Sequence, residues 1–127
     1  MNGSGKFHWV RVLLGGFLAE VSVIVLVIPI SLLFGQHVLL YVAPAASLLS
    51  CVLFAWWVGL RIDSGFVWHG ILVGVVATLL YVGLTLGRPE PWPYLVAHGL
   101  KILGGAAGGL VAARRGKAMS GATADVR

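Results

Sequence analysis

Four long apolar runs constrain this chain more than any other feature of its sequence. They cover about residues 12–34, 38–60, 66–86 and 94–113. A helix of about 20 residues is about 30 Å long, which is enough to cross the hydrocarbon core of a bilayer. The runs are apolar on every face, whereas barrel strands alternate polar and apolar residues over about 10 positions. The sequence therefore predicts an all-α, polytopic membrane four-helix bundle.

The segments between the runs predict short turns. Glycine interrupts the chain at residues 35–37 and 61–65, and three prolines in residues 87–93 prevent a helix from continuing. With 127 residues the chain has room for one transmembrane domain of helical hairpins. The tails, residues 1–9 and 114–127, are short and polar, and we expect them to be flexible.

The charges predict the orientation of the bundle. Only 10% of the residues are charged and 59% are hydrophobic, which excludes an ordinary soluble domain with about 25% charge. The basic residues flank the apolar runs instead of forming one surface patch, so nucleic acid is not an expected partner. Seven of the nine Lys and Arg residues lie in the two tails and the central loop: Lys6, Arg11, Arg61, Arg114, Arg115, Lys117 and Arg127. The positive-inside rule therefore predicts that both termini are cytoplasmic.

Two charged residues lie inside the predicted spans. Glu20 is about eight residues into the first run, and Lys101 is about seven residues into the fourth. An isolated charge at such a depth costs at least about 2.5–3.5 kcal/mol, so each residue needs a partner. The depths of their Cα atoms differ by less than about 10 Å, given a rise of 1.5 Å per residue. We therefore expect an intramembrane charge pair, formed if the first and fourth helices touch.

The fourth helix has one face of small and polar residues. At 100° per residue this face collects His98, Lys101, Gly104, Gly105, Gly108, Gly109 and Ala112. The glycines form two overlapping small-xxx-small pairs, which let another helix approach closely. On the first helix, Gly16, Glu20 and Ser31 share a face in the same way. The prediction is that these two faces pack together.

The charge pair supports two functional interpretations. As a latch, it fixes helix register in a non-enzymatic structural or interaction component, whose glycine-rich face packs internally or against a second copy or a partner subunit. As a mechanistic site, Glu20 exchanges a proton that His98 relays, and the protein is an oligomeric proton-coupled transporter. A further alternative is that the charges face a partner subunit.

No catalytic, metal or cofactor site is expected. No serine has a His or Lys partner at a motif spacing, which argues against an intramembrane hydrolase. His69 and His98 are predicted near opposite membrane faces, and no cysteine or carboxylate completes a ligand set.

The four-span plan, the glycine-rich segment from Lys101 to Arg115 and the pairs His69-Gly70 and His98-Gly99 resemble small uncharacterised bacterial inner-membrane proteins of about this length. This resemblance implies a multi-pass protein of the bacterial cytoplasmic membrane and implies no particular activity.

The segment Leu18-Ala19-Glu20-Val21 is similar to the first helix of the small multidrug resistance transporters, which also have four short helices and a membrane-embedded glutamate there. The similarity implies proton-coupled transport by Glu20. Those transporters have no lysine such as Lys101 in the last helix.

Overall fold

The computed structural model describes residues 7–125, and their secondary structure is helical. The helices are α1 (Trp9–Phe34), α2 (Leu39–Gly59), α3 (Phe66–Leu84) and α4 (Trp92–Ala124), with one 3₁₀ turn at Gln36–Val38. All four helices are long and apolar enough to cross a membrane. The predicted all-α, four-helix membrane class is therefore confirmed.

Glycine and proline set the helix boundaries. Gly35 ends α1 with a φ of 84°, and Gly65 precedes α3 in the left-handed conformation with a φ of 66°. Both conformations are open to glycine at little steric cost. Pro91 caps α4, and Pro93 occupies its first turn, where no backbone N–H is needed for the helix. The breakers identified in the sequence thus act as helix ends.

Helix α4 continues beyond the predicted end of the fourth run at residue 113. Residues 114–124, expected to be a flexible tail, continue the helix and are exposed. Alanine, arginine, lysine and methionine favour helix, and the added residues lengthen α4 by about 16 Å. Lys6 and Arg127, used in the charge count, lie outside the described residues.

The four helices form a bundle with a long and a short diagonal. α2 and α3 contact each other, and each of them also contacts α1 and α4. Between residues 7 and 125, no Cα atom of α1 comes within 8 Å of one in α4. The prediction that the first and fourth helices pack face to face is therefore wrong, because α2 and α3 lie between them.

The glycines of α4 explain this arrangement. Gly105 and Gly109 face the backbone of α3, where a Cβ on either would overlap the carbonyl oxygen of Gly70 or Phe66. Gly104 and Gly108 face α2 instead, and a Cβ on Gly104 would lie 2.6 Å from the Leu48 carbonyl oxygen. The two overlapping glycine pairs thus serve two different neighbours, and α4 lies in the groove between α2 and α3.

The glycines of α1 also face α2 and α3. A Cβ on Gly16 would lie 2.5 Å from Val76 Cγ1 of α3, and one on Gly15 would lie 2.7 Å from Val58 Cγ2 of α2. Gly16 was expected to face the fourth helix, and its position against Val76 corrects that expectation. Valine side chains of α2 and α3 thus pack against the glycines of α1.

The two ends of the bundle differ in packing. We call the end that carries residues 7–12, 59–66 and the extension of α4 the terminal end, and the opposite end, with residues 34–39 and 84–93, the distal end. The terminal half contains an apolar cluster, called here the terminal core, built on the buried residues Val12, Ala55, Val58, Ile62 and Val73. The site described next lies on the distal side of this core.

Candidate intramembrane charge site

Glu20 and Lys101 form an ion pair inside the bundle. Lys101 Nζ donates a hydrogen bond of 2.7 Å to Glu20 Oε2, and both residues are 2% exposed. α1 and α4 lie on the long diagonal, so the pair is made by side-chain reach across the interior. The structure thus brings together the two residues singled out from their depth, although their helices do not pack.

Lys101 has a second favourable neighbour. Its Nζ lies 4.8 Å from the ring centroid of Tyr81 in α3, within the range of a cation–π interaction. Cys51 of α2 is fully buried in a small apolar cluster with Ala19 and Ala77. The lysine charge is therefore held by a carboxylate and an aromatic face in surroundings that exclude lipid.

A cavity of about 150 Å³ adjoins the pair on its distal side. All four helices contribute to its wall. The lining residues are Glu20, Val23, Ile24, Val27, Ala43, Ser47, Tyr81, Tyr94, Ala97, His98 and Lys101. The wall combines an ion pair, an imidazole and three hydroxyl groups with aliphatic side chains. It therefore offers a small polar ligand both hydrogen-bonding groups and an apolar surface.

Two polar atoms of these lining residues have no partner. Among the described residues, Glu20 Oε1 and His98 Nδ1 are buried and accept or donate no hydrogen bond. Buried polar atoms are almost always hydrogen-bonded to protein or water, and leaving one unsatisfied costs about 1–3 kcal/mol. Both atoms therefore need a hydrogen-bond partner from water or from a bound ligand.

The cavity approaches the distal surface at His98. His98 Nε2 lies 3.3 Å from Glu90 Oε2 in the α3–α4 connection, and the two side chains are 14% and 15% exposed. The ring of His98 also packs against that of Tyr81, with the centroids 5.0 Å apart. One imidazole nitrogen thus faces a carboxylate near the surface while the other is buried.

The other predicted residues have different neighbours. His69 lies at the terminal end, where its Nε2 accepts the His8 backbone N–H at 3.3 Å and its Nδ1 lies 2.8 Å from the Gly65 carbonyl oxygen. It is therefore separate from His98. The glycines of the α4 packing face affect the ion pair only indirectly, because they set the position of α4 between α2 and α3.

Several site residues were not singled out in the sequence. Glu90 lies in the proline-rich connection, and neither it nor Tyr81, Tyr94 or Ser47 belongs to a sequence motif. The glycine pair Gly70 and Gly74 in α3, which contacts α4, was also missed, although its small-xxx-small spacing is the signal that identified the glycines of α4.

Comparison with known proteins identifies no relative. No family model matches the chain, and no curated protein or solved structure matches it significantly.

Proposed function

We propose that this protein is a non-enzymatic structural or interaction component of the bacterial cytoplasmic membrane, with the Glu20–Lys101 pair as its latch. The observation that carries the proposal is the 2.7 Å hydrogen bond between the two helices that have no close backbone contact. A buried pair whose hydrogen-bonding geometry is good fixes one arrangement, because a slip in register leaves two unpaired charges in a medium of low polarity.

The surface of α4 beyond the bundle is the interaction site in this proposal. Its glycines already contact α2 and α3, so they do not offer a surface to a partner. Residues 114–124 are exposed and helical, and they begin with Arg114, Arg115 and Lys117. With both termini cytoplasmic, this basic helix meets a partner membrane subunit with an acidic cytoplasmic surface.

The test is affinity purification of the full chain in mild detergent. We expect one membrane protein to co-purify at a fixed stoichiometry, and to be lost when Arg114, Arg115 and Lys117 are all changed to glutamate. The matched control is Arg88→Glu in the distal connection, which should retain the partner. A wild-type protein that purifies alone as a monomer contradicts the interaction role.

A second candidate function is favoured by the cavity. An oligomeric proton-coupled transporter of small molecules requires a polar cavity that reaches Glu20, and a bundle interior filled with apolar side chains would count against it. The cavity of about 150 Å³ touches the ion pair, and Glu20 Oε1 has no hydrogen-bond partner in the part of the chain that the structure describes. In this proposal Glu20 exchanges its proton during transport, as the resemblance to small multidrug resistance transporters implies.

Glu20→Gln tests transport in proteoliposomes that carry a pH gradient, with ethidium as the transported cation. We expect the wild type to transport ethidium in exchange for protons. The variant should lose this flux while its helical circular dichroism is retained. Asp63→Asn, which changes an exposed carboxylate outside the cavity, should leave the flux intact. A folded Glu20→Gln protein with unchanged flux contradicts this candidate, as does a wild type that moves no ethidium.

A further inference from the structure

The cavity beside the ion pair has the properties of a hydrated one. Water occupies a buried cavity when the cavity is large enough and supplies two to four polar partners per molecule. A volume of about 150 Å³ has room for several water molecules, since about 10–15 Å³ of such space admits one. The partners are Glu20 Oε1 and His98 Nδ1, which have no hydrogen-bond partner within residues 7–125, and the hydroxyl groups of Ser47, Tyr81 and Tyr94.

The polar groups that line this cavity extend toward one end of the bundle. Every lining residue lies at the level of the pair or on its distal side, and the Glu90–His98 contact brings the route to the partly exposed surface there. On the terminal side, Val12, Val58 and Val73 of the terminal core are 0% exposed. An apolar layer without hydrogen-bonding groups does not hold an ordered water chain.

We propose that the cavity holds a short water chain that gives protons from the distal side, and from that side alone, access to Glu20. A proton from distal water binds at the Glu90–His98 contact, crosses the imidazole by entering at Nε2 and leaving at Nδ1, and passes through the cavity water to Glu20 Oε1. Glu20 becomes a neutral carboxylic acid. This proton-binding site does not depend on transport or on a protein partner.

Proton uptake by Glu20 also changes its ion pair with Lys101, because of the groups that face Glu20. Lys101 and His98 face it from α4, Tyr81 from α3 and Cys51 from α2, and Tyr94 lines the same cavity. Lys101 is the cation that donates a hydrogen bond to the carboxylate. Once Glu20 is protonated, the ammonium group retains the Tyr81 ring face and the cavity water as partners. Acidification on the distal side thus weakens the link between α1 and α4.

The experiment uses the small number of glutamates. Glu20 and Glu90 are the two in the whole sequence, so labelling glutamate side-chain carboxyl carbons with ¹³C gives two signals in the full chain in lipid nanodiscs. Glu90→Gln assigns them. We expect magnetisation from water protons to reach the Glu20 carboxyl carbon, and its chemical shift to change reversibly as the buffer is acidified.

Plugging the distal side of the cavity tests the direction of access. Ala97→Leu on α4, or Ala43→Leu on α2 if the first variant does not fold, should abolish both the water transfer to the Glu20 carboxyl carbon and the change of its chemical shift on acidification, while water transfer to Glu90 is retained. Ala107→Leu, on an exposed position of the same helix, should change neither. The proposal is overturned if Glu20 in the unplugged protein receives no water magnetisation, or if a folded plugged variant still receives it.

Discussion

Lys101→Met is expected to lower the free energy of unfolding by about 3–5 kcal/mol. The substitution keeps a long side chain in the α2–α3 groove but leaves the Glu20 carboxylate buried without a cation, which is the costly way to disrupt a buried pair. Reversible unfolding in mixed micelles with increasing SDS measures the change. Lys117→Met is the control, because Lys117 is exposed on the same helix and its loss should change stability by less than about 0.5 kcal/mol.

The double variant Glu20→Met/Lys101→Met separates the loss of a partner from the loss of an interaction. It removes both charges and fills their space with apolar atoms, so we expect it to recover most of the stability lost in Lys101→Met. A double variant as unstable as the single one would show that packing of the lysine chain, and not the unpaired carboxylate, dominates the effect.

Gly105→Ala is expected to destabilise the protein by about 3 kcal/mol. The new methyl group would overlap the Gly70 carbonyl oxygen, and neither backbone can move without separating α3 from α4. Alanine favours helix by about 1 kcal/mol over glycine, so a loss of stability here is the opposite of the intrinsic preference. The same unfolding titration in SDS measures it.

The matched control is Gly99→Ala in the same helix. Apart from its chain neighbours and the adjacent backbone of its own helix, no atom of residues 7–125 lies within 4 Å of a Cβ at Gly99, so this variant should be as stable as the wild type or more stable by about 1 kcal/mol. A Gly105→Ala protein as stable as the Gly99→Ala protein would contradict the close crossing of α3 and α4 at Gly70.

The depth of each residue could be predicted from the sequence, but the lateral order of the helices could not. Depth follows from counting residues along apolar runs, and this alone predicted that Glu20 and Lys101 lie close enough in level to pair. A face of glycines predicts that another helix approaches closely there, but it does not predict which helix. Gly70 and Gly74 carried as strong a signal as Gly16, and both of them lie against the backbone of α4.

The cavity is still harder to predict for the same reason. Its wall takes residues from four helices, so it exists only once the lateral order is known. Tyr81 and Ser47 have no spacing relation to Glu20 or Lys101 in the chain, and Glu90 joins the site through a proline-rich connection whose path no periodicity describes. Side chains that meet across a diagonal leave no signal in the pattern of any single helix.

The separation of the paired residues also bears on biosynthesis. Glu20 and Lys101 are 81 positions apart, and neither α2 nor α3 contains a lysine or an arginine. During synthesis the carboxyl group of α1 therefore enters the membrane well before its cation, and it remains without that partner until the final helix has been inserted. A nascent or truncated chain that stops before α4 has an unpaired carboxyl group in its first span. This group distinguishes the incomplete chain chemically from the full one.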